Sequence, residues 1–141
     1  MQKNIIIYKN KNIEYIYNNK METLESLLNL FFSHQIKIKI LHFQTKSYAI
    51  HKATDGYLSQ FADNLDKFFE VTQGAFGKLN MKQVNMTFQT VNDDTITEEL
   101  ANFIKILKKI DKAFSNYSEI MNIRDEIVAE AEKLNYLLTF K

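Results

Sequence analysis

The sequence predicts an all-α fold, a four-helix bundle with an N-terminal appendage, and three observations carry that reading. Leu24, Leu28, Phe31, Gln35, Ile38 and His42 fall on one heptad seam, with Leu27 and Leu41 beside it. From about Tyr48 the chain runs to Thr72 without a proline, with Phe61, Leu65, Phe68 and Phe69 at helical spacing. Residues 74–94 then form a long connection before two further periodic segments, and that length suits a crossover between two helical hairpins.

Residues 1–20 stand apart from the bundle assigned to 21–141. Ile5-Ile6-Ile7-Tyr8 and Ile13-Glu14-Tyr15-Ile16-Tyr17 flank a polar Lys-Asn-Lys-Asn stretch, which predicts a hairpin or extended arm. A lone hairpin is marginal in water, so the arm would need to pack on something. A basic DNA-binding tail and plain disorder are the alternatives, but interleaved Ile and Tyr favour packing.

The first helix is expected over about 23–45, with Glu22 and Glu25 suited to its start. The alternation Ile36, Ile38, Ile40 resembles a strand, and the longer helical period on both sides outweighs it. His34 lies off this seam and reads as a surface or packing residue. Ser47 is a candidate N-cap for the second helix, and Gly74 its stop. Gly56 sits mid-helix, where it costs about 1 kcal/mol against Ala; a close helix approach across a two-fold axis would justify it. The third helix is expected from Thr95, where Thr-x-x-Glu98 has the capping-box pattern, fading near Ser115. The fourth follows Asn122, with Ile127, Ala131, Leu134 and Leu138 inward.

Composition sets bounds on function. A chain of 141 residues suits one domain with a real core. The absence of Cys removes disulfides and thiolate metal sites. A net charge of +1 gives no global pull toward nucleic acid, so DNA is a partner the charge does not support. Nothing approaches the 18 or more apolar residues of a membrane span, and Lys and Asn interrupt any signal-peptide run. The expected location is cytoplasmic or virion-associated, not secreted.

The chemistry concentrates at residues 42–70. Two of the three histidines, His42 and His51, fall there. The second helix carries two i,i+4 pairs, His51 with Asp55 and Asp66 with Glu70, all within an arc of about 100°. Asp55 and Asp66 are roughly 16 Å apart along the axis, too far for one ion to bridge within a chain. Two antiparallel copies related by a two-fold axis resolve this. His51 and Asp55 of one then face Asp66 and Glu70 of the other, in two equivalent sites. Imidazole with carboxylate suits iron, manganese or zinc. No Glu-x-x-His occurs, which argues against a di-iron site inside one bundle.

These residues resemble the signature of Dps-type miniferritins of the ferritin-like superfamily. His42-Phe43 stands where that family has His-aromatic at the end of its first helix. His51-Lys52-Ala53-Thr54-Asp55-Gly56-Tyr57 matches His-x3-Asp-Gly-aromatic, and Asp66-Lys67-Phe68-Phe69-Glu70 matches Asp-x3-Glu. Phe43 replaces the usual tryptophan and Val71 the usual arginine. The sequence is similar, too, to uncharacterised short proteins of phages and large DNA viruses that share the His-aromatic opening and the stretch Asp125-Glu126-Ile127. The resemblance implies a ferritin-like four-helix bundle, a homodimer or larger homo-oligomer, and ferrous iron bound and oxidised between chains. It implies His42, His51 and Asp55 from one chain and Asp66 and Glu70 from its mate as metal ligands and catalytic residues, with another divalent metal as the variant. The alternative is a structural or binding bundle, a virion or nucleoid component, that keeps the fold without the chemistry.

Overall fold

The computed structural model describes the backbone of residues 2–141 and the side chains from Glu22 onward. Four long helices and two short ones carry the chain. They are α1 (Gln2–Gln44), α2 (Tyr48–Phe76), α3 (Ile96–Lys108), α4 (Asp111–Phe114), α5 (Ser118–Leu137) and a closing 3₁₀ turn, Leu138–Phe140. No strand occurs among the described residues.

The expected hairpin over residues 1–20 is corrected in the backbone, because α1 already begins at Gln2. Nothing between Gln2 and Gln44 is Gly or Pro, so no residue interrupts the i→i−4 ladder. The arm's packing and its DNA contacts concern side chains that lie outside the described residues.

The buried seam of α1 is Leu24, Leu27, Phe31, His34, Ile38 and Leu41, whereas Leu28 and Gln35 are only half-buried. The seam is therefore turned by about one position from the expected one, and it takes in His34. The helix is apolar around much of its circumference, so periodicity alone left that rotation open.

Helix α2 starts as expected. Ser47 is its N-cap, and its hydroxyl accepts from the Ile50 N–H at 3.3 Å. It runs past Gly74 and stops at Gly77, whose φ of 103° is the conformation glycine tolerates, with its N–H on the Gln73 carbonyl. The third predicted helix is broken in two. Helix α3 ends at Lys108, and Arg124 on α5 binds the Leu107 carbonyl at 3.0 Å. The same guanidinium pairs with Asp111 at 2.5 Å and Asp125 at 2.7 Å, so Asp111 is engaged rather than merely solvated. Thr95 makes no side-chain cap; the Asn92 Oδ1 accepts from the Asp94 and Thr95 N–H groups instead. Helix α5 begins at Ser118, four residues before the expected start after Asn122.

The pairings fix the topology. Phe31 meets Phe61 and Phe68, and His34 meets Tyr57, so α1 and α2 are antiparallel. Phe31 against Phe103 and Lys37 against Glu99 make α1 and α3 antiparallel as well. Helices α2 and α3 are consequently parallel, and the connection from Gly77 to Thr95 must return along the bundle. It leaves beside Phe114 and Tyr117, which Phe76 contacts. It arrives where Asp93 accepts from the Thr45 hydroxyl at 2.6 Å and the Lys46 N–H at 3.3 Å. This is a four-helix arrangement with one long crossover. Its centre is a phenylalanine cluster in which Phe31 touches Phe61, Phe68, Phe69 and Phe103.

Candidate functional site

The turn between α1 and α2 spans only Thr45 to Ser47, which sets the last turn of one helix beside the first turn of the other. His42 and His51 meet there. Their rings stack with centroids 4.0 Å apart and planes 19° from parallel. His42 Nδ1 lies 3.1 Å from the His51 carbonyl, and His51 Nδ1 lies 2.9 Å from the His42 carbonyl. A carbonyl only accepts, so both Nδ1 atoms carry the hydrogen. His42 Nδ1–H also reaches the Thr54 hydroxyl at 3.1 Å, and that hydroxyl donates to the Ile50 carbonyl at 2.7 Å. These hydrogen bonds select, for each ring in its neutral form, the tautomer with the lone pair on Nε2. Metal-ligating histidines are held in this way, with the far nitrogen on a carbonyl or carboxylate.

His42 is buried and His51 exposed. Phe43 and Tyr48 flank the pair, 72% and 75% exposed, so the histidines are rimmed by uncovered aromatic surface. Lys39 lies over the Phe43 ring at 5.0 Å. Asp55, one turn beyond His51, borders an open groove with Gln35, Ile36, Lys39, Leu58 and Ser59.

Asp55, Asp66 and Glu70 are all exposed and make no ion pair among the described residues. Of the five residues singled out from the sequence, one chain brings together His42 and His51, with Asp55 a turn away on the same face of α2. Asp66 and Glu70 lie about three and four turns further along α2. Among the described residues no three of His, Asp and Glu gather into a group able to hold a metal ion. Glycine 56 has nothing within 4 Å of where a Cβ would stand, so within one chain no close helix approach explains it.

A second polar cluster escaped the sequence reading. His34, fully buried, bridges Tyr57 and Glu99. Its Nε2 is 2.7 Å from the Tyr57 hydroxyl and its Nδ1 is 3.0 Å from Glu99 Oε1. Lys37 holds the other Glu99 oxygen at 3.1 Å, and Phe103 stacks on the imidazole at 3.8 Å. Burial pushes the His34 pKa down, against the pull of Glu99, which keeps the ring neutral. Burial raises the Glu99 carboxyl, but the hydrogen bonds from His34 and Lys37 outweigh it and hold the pKa below its usual value. Burial likewise raises the Tyr57 hydroxyl, and the Glu99 and Glu130 charges add to that. No nearby motif announced this cluster, because His34 sits alone in an apolar stretch.

The fold and site define an all-helical, single-crossover bundle with a histidine pair clasping its first two helices. No helix among the described residues is long and apolar enough to cross a membrane. The chain belongs to the family of unknown function DUF5856, which it matches over residues 42–138. The match begins at His42 and so takes in the histidine pair, α2, the crossover and the last helices. The chain is also similar to an uncharacterised 14.6 kDa protein of the mobD–ri intergenic region of Enterobacteria phage T4. The two are 28% identical over 133 residues, covering 91% of this chain and 97% of the phage protein. That likeness agrees with the expected similarity to short phage proteins. No solved structure matches the chain.

Proposed function

We propose that this protein is a miniferritin-like bundle, with a ferritin-like fold, that binds ferrous iron between two-fold-related copies and promotes its oxidation. The observation that carries the reading is the His42–His51 pair, whose Nδ1 hydrogens are committed to carbonyls and whose Nε2 atoms are left as neutral nitrogen donors. Iron here is substrate and cargo, and peroxide or oxygen is the acceptor of its electron.

The stacked rings constrain how many ions the pair serves. An imidazole lone pair lies in the ring plane, and two rings with centroids 4.0 Å apart and planes only 19° from parallel have planes that do not meet near the rings. Both nitrogens therefore cannot aim at one ion at metal–nitrogen distances of about 2 Å. Each ring is suited to its own ion, so the pair would serve two ions held near each other, as two-metal sites do. Asp55 adds a carboxylate on the same face of α2. Asp66 and Glu70, exposed and unpaired, supply the remaining oxygen ligands from the second copy. The exposed Phe43, Tyr48 and Ile36 provide the apolar surface that such a copy would cover.

A second reading has its own observation. The reciprocal hydrogen bonds join the end of α1 to the start of α2, which is reason enough for the two histidines in a purely structural bundle of a virion or nucleoid. The test is the rate of ferrous oxidation with peroxide and with oxygen, alongside iron-edge anomalous scattering from crystals soaked anaerobically. The expected result is oxidation faster than buffer, lost in the Asp66→Ala/Glu70→Ala double variant while the dimer persists. Wild-type protein that matches buffer with both oxidants, and crystals without an iron peak at His51, would leave the structural bundle as the function.

A further inference from the structure

We infer that Tyr57 is a redox-active tyrosine, a one-electron donor whose phenolic proton passes to His34 as the electron leaves. Three features of the His34 cluster support this. The hydroxyl lies 2.7 Å from His34 Nε2, a short hydrogen bond to a nitrogen that must accept. It must accept because Nδ1–H is committed to the Glu99 carboxylate at 3.0 Å, and Lys37 keeps that carboxylate charged from its other oxygen at 3.1 Å. The cluster is also enclosed, with the imidazole fully buried and stacked on Phe103.

Removing the proton alone would leave an anion on a buried ring packed against Phe61. Removing the electron and the proton together leaves no charge on the phenol ring. The Tyr57 O–H bond breaks, an N–H bond forms at His34 Nε2, and the electron passes to a one-electron oxidant. With hydroxyl radical as that oxidant, the radical becomes hydroxide and takes a solvent proton to give water. The products in the core are a neutral phenoxyl radical and an imidazolium paired with Glu99. Burial disfavours an isolated imidazolium, and the carboxylate on the opposite nitrogen compensates for it.

Tyr57 also lines an open cleft between α2 and α5, bordered by Gly56, Gln60, Glu130 and Lys133. The cluster thus acts as a sink for oxidising equivalents. The source of the hydroxyl radical, ferrous iron meeting peroxide, rests on the function proposed above; the proton-coupled step does not.

The test therefore uses photogenerated tris(bipyridyl)ruthenium(III) with no iron present, followed by freeze-quench electron paramagnetic resonance. The chain has seven tyrosines, and Tyr48 and Tyr136 are the exposed ones among the described residues. The expected result is a neutral tyrosyl signal that survives in the Tyr48→Phe/Tyr136→Phe variant. It should fall at least several-fold in Tyr57→Phe, and form more slowly in heavy water. Glu99→Gln should slow its formation several-fold with the fold intact by circular dichroism. A signal that vanishes with Tyr48 and Tyr136, or that is the same in Glu99→Gln as in the parent, overturns the inference whether or not the protein oxidises iron.

Discussion

His42 and His51 donate to each other's main-chain carbonyls, at 3.1 and 2.9 Å, with their rings stacked 4.0 Å apart. The exchange consumes both Nδ1 hydrogens and ties the two helix ends across a three-residue turn. His42→Ala should lower stability by about 2 kcal/mol, since it removes a buried ring and a hydrogen bond together. His51→Ala, at an exposed position, should cost about 1 kcal/mol or less. Urea midpoints of the two variants measure the difference.

Metal binding gives a second ordering of the same residues. Calorimetry with ferrous or zinc ion should show the largest affinity losses for Asp66→Ala and Glu70→Ala, which remove the carboxylates proposed to come from the second copy. His51→Ala and Asp55→Ala should follow. His42 is expected to matter least, because its ring is buried behind His51. Unchanged affinity in the Asp66 and Glu70 variants would place the metal elsewhere.

The His34 cluster predicts acid sensitivity. The folded-state pKa of His34 is depressed below its ordinary 6.5, so its contribution is fully present above that value. As pH falls below 6.5, the unfolded chain takes up a proton that the folded chain resists, and stability declines. Glu99 is depressed below its ordinary 4.5, so a second loss sets in beneath that value. The charged or polar groups facing His34 are Glu99, Lys37 and Tyr57. Urea midpoints measured from pH 7.5 down to 4 should fall from near 6.5, and His34→Gln should flatten the upper part of that decline.

Those two clusters mark how far the sequence was legible. The start of α2 and the placing of His42 and His51 beside it were readable because their signals are local, a Ser cap and histidines nine residues apart across a short turn, whereas the end at Gly77 rather than Gly74 was not. His34 was not, because its partners stand 23 and 65 residues away and only tertiary packing brings them together. Nor was the break after α3, since Leu107, Ile110 and Phe114 keep helical spacing straight through it. The break shows only in Arg124, the chain's single arginine, reaching back from α5. The hairpin expectation failed for a related reason: β-prone composition was weighed without a residue that stops a helix.

Arg124→Ala should therefore do more than remove an exposed ion pair. It removes the side-chain donor from the Leu107 carbonyl, which keeps the Ile110 N–H at 3.3 Å, and releases Asp111 and Asp125, with an expected cost of about 1–2 kcal/mol. Arg124→Lys should recover only part of this, because an ammonium cannot span three acceptors in the guanidinium's fork. Hydrogen exchange should show the amides of residues 108–117 exchanging faster in both variants.

Gly56→Ala decides whether a second copy approaches helix α2. Within one chain nothing lies within 4 Å of the added methyl, and the helical backbone accepts alanine. If α2 faced only solvent there, the substitution would stabilise the monomer by about 0.5–1 kcal/mol, through the helix propensity of alanine over glycine. The proposed shared metal site would instead require α2 to lie antiparallel to its mate, with the glycine at a close approach. In that arrangement the methyl pushes the two helices apart, so the monomer gains stability while the dimer weakens. The expected result is a raised urea midpoint at low protein concentration together with a several-fold larger dimer dissociation constant by sedimentation. A raised midpoint with unchanged association would place the interface away from Gly56 and remove the structural reason for Asp66 and Glu70 to meet His51.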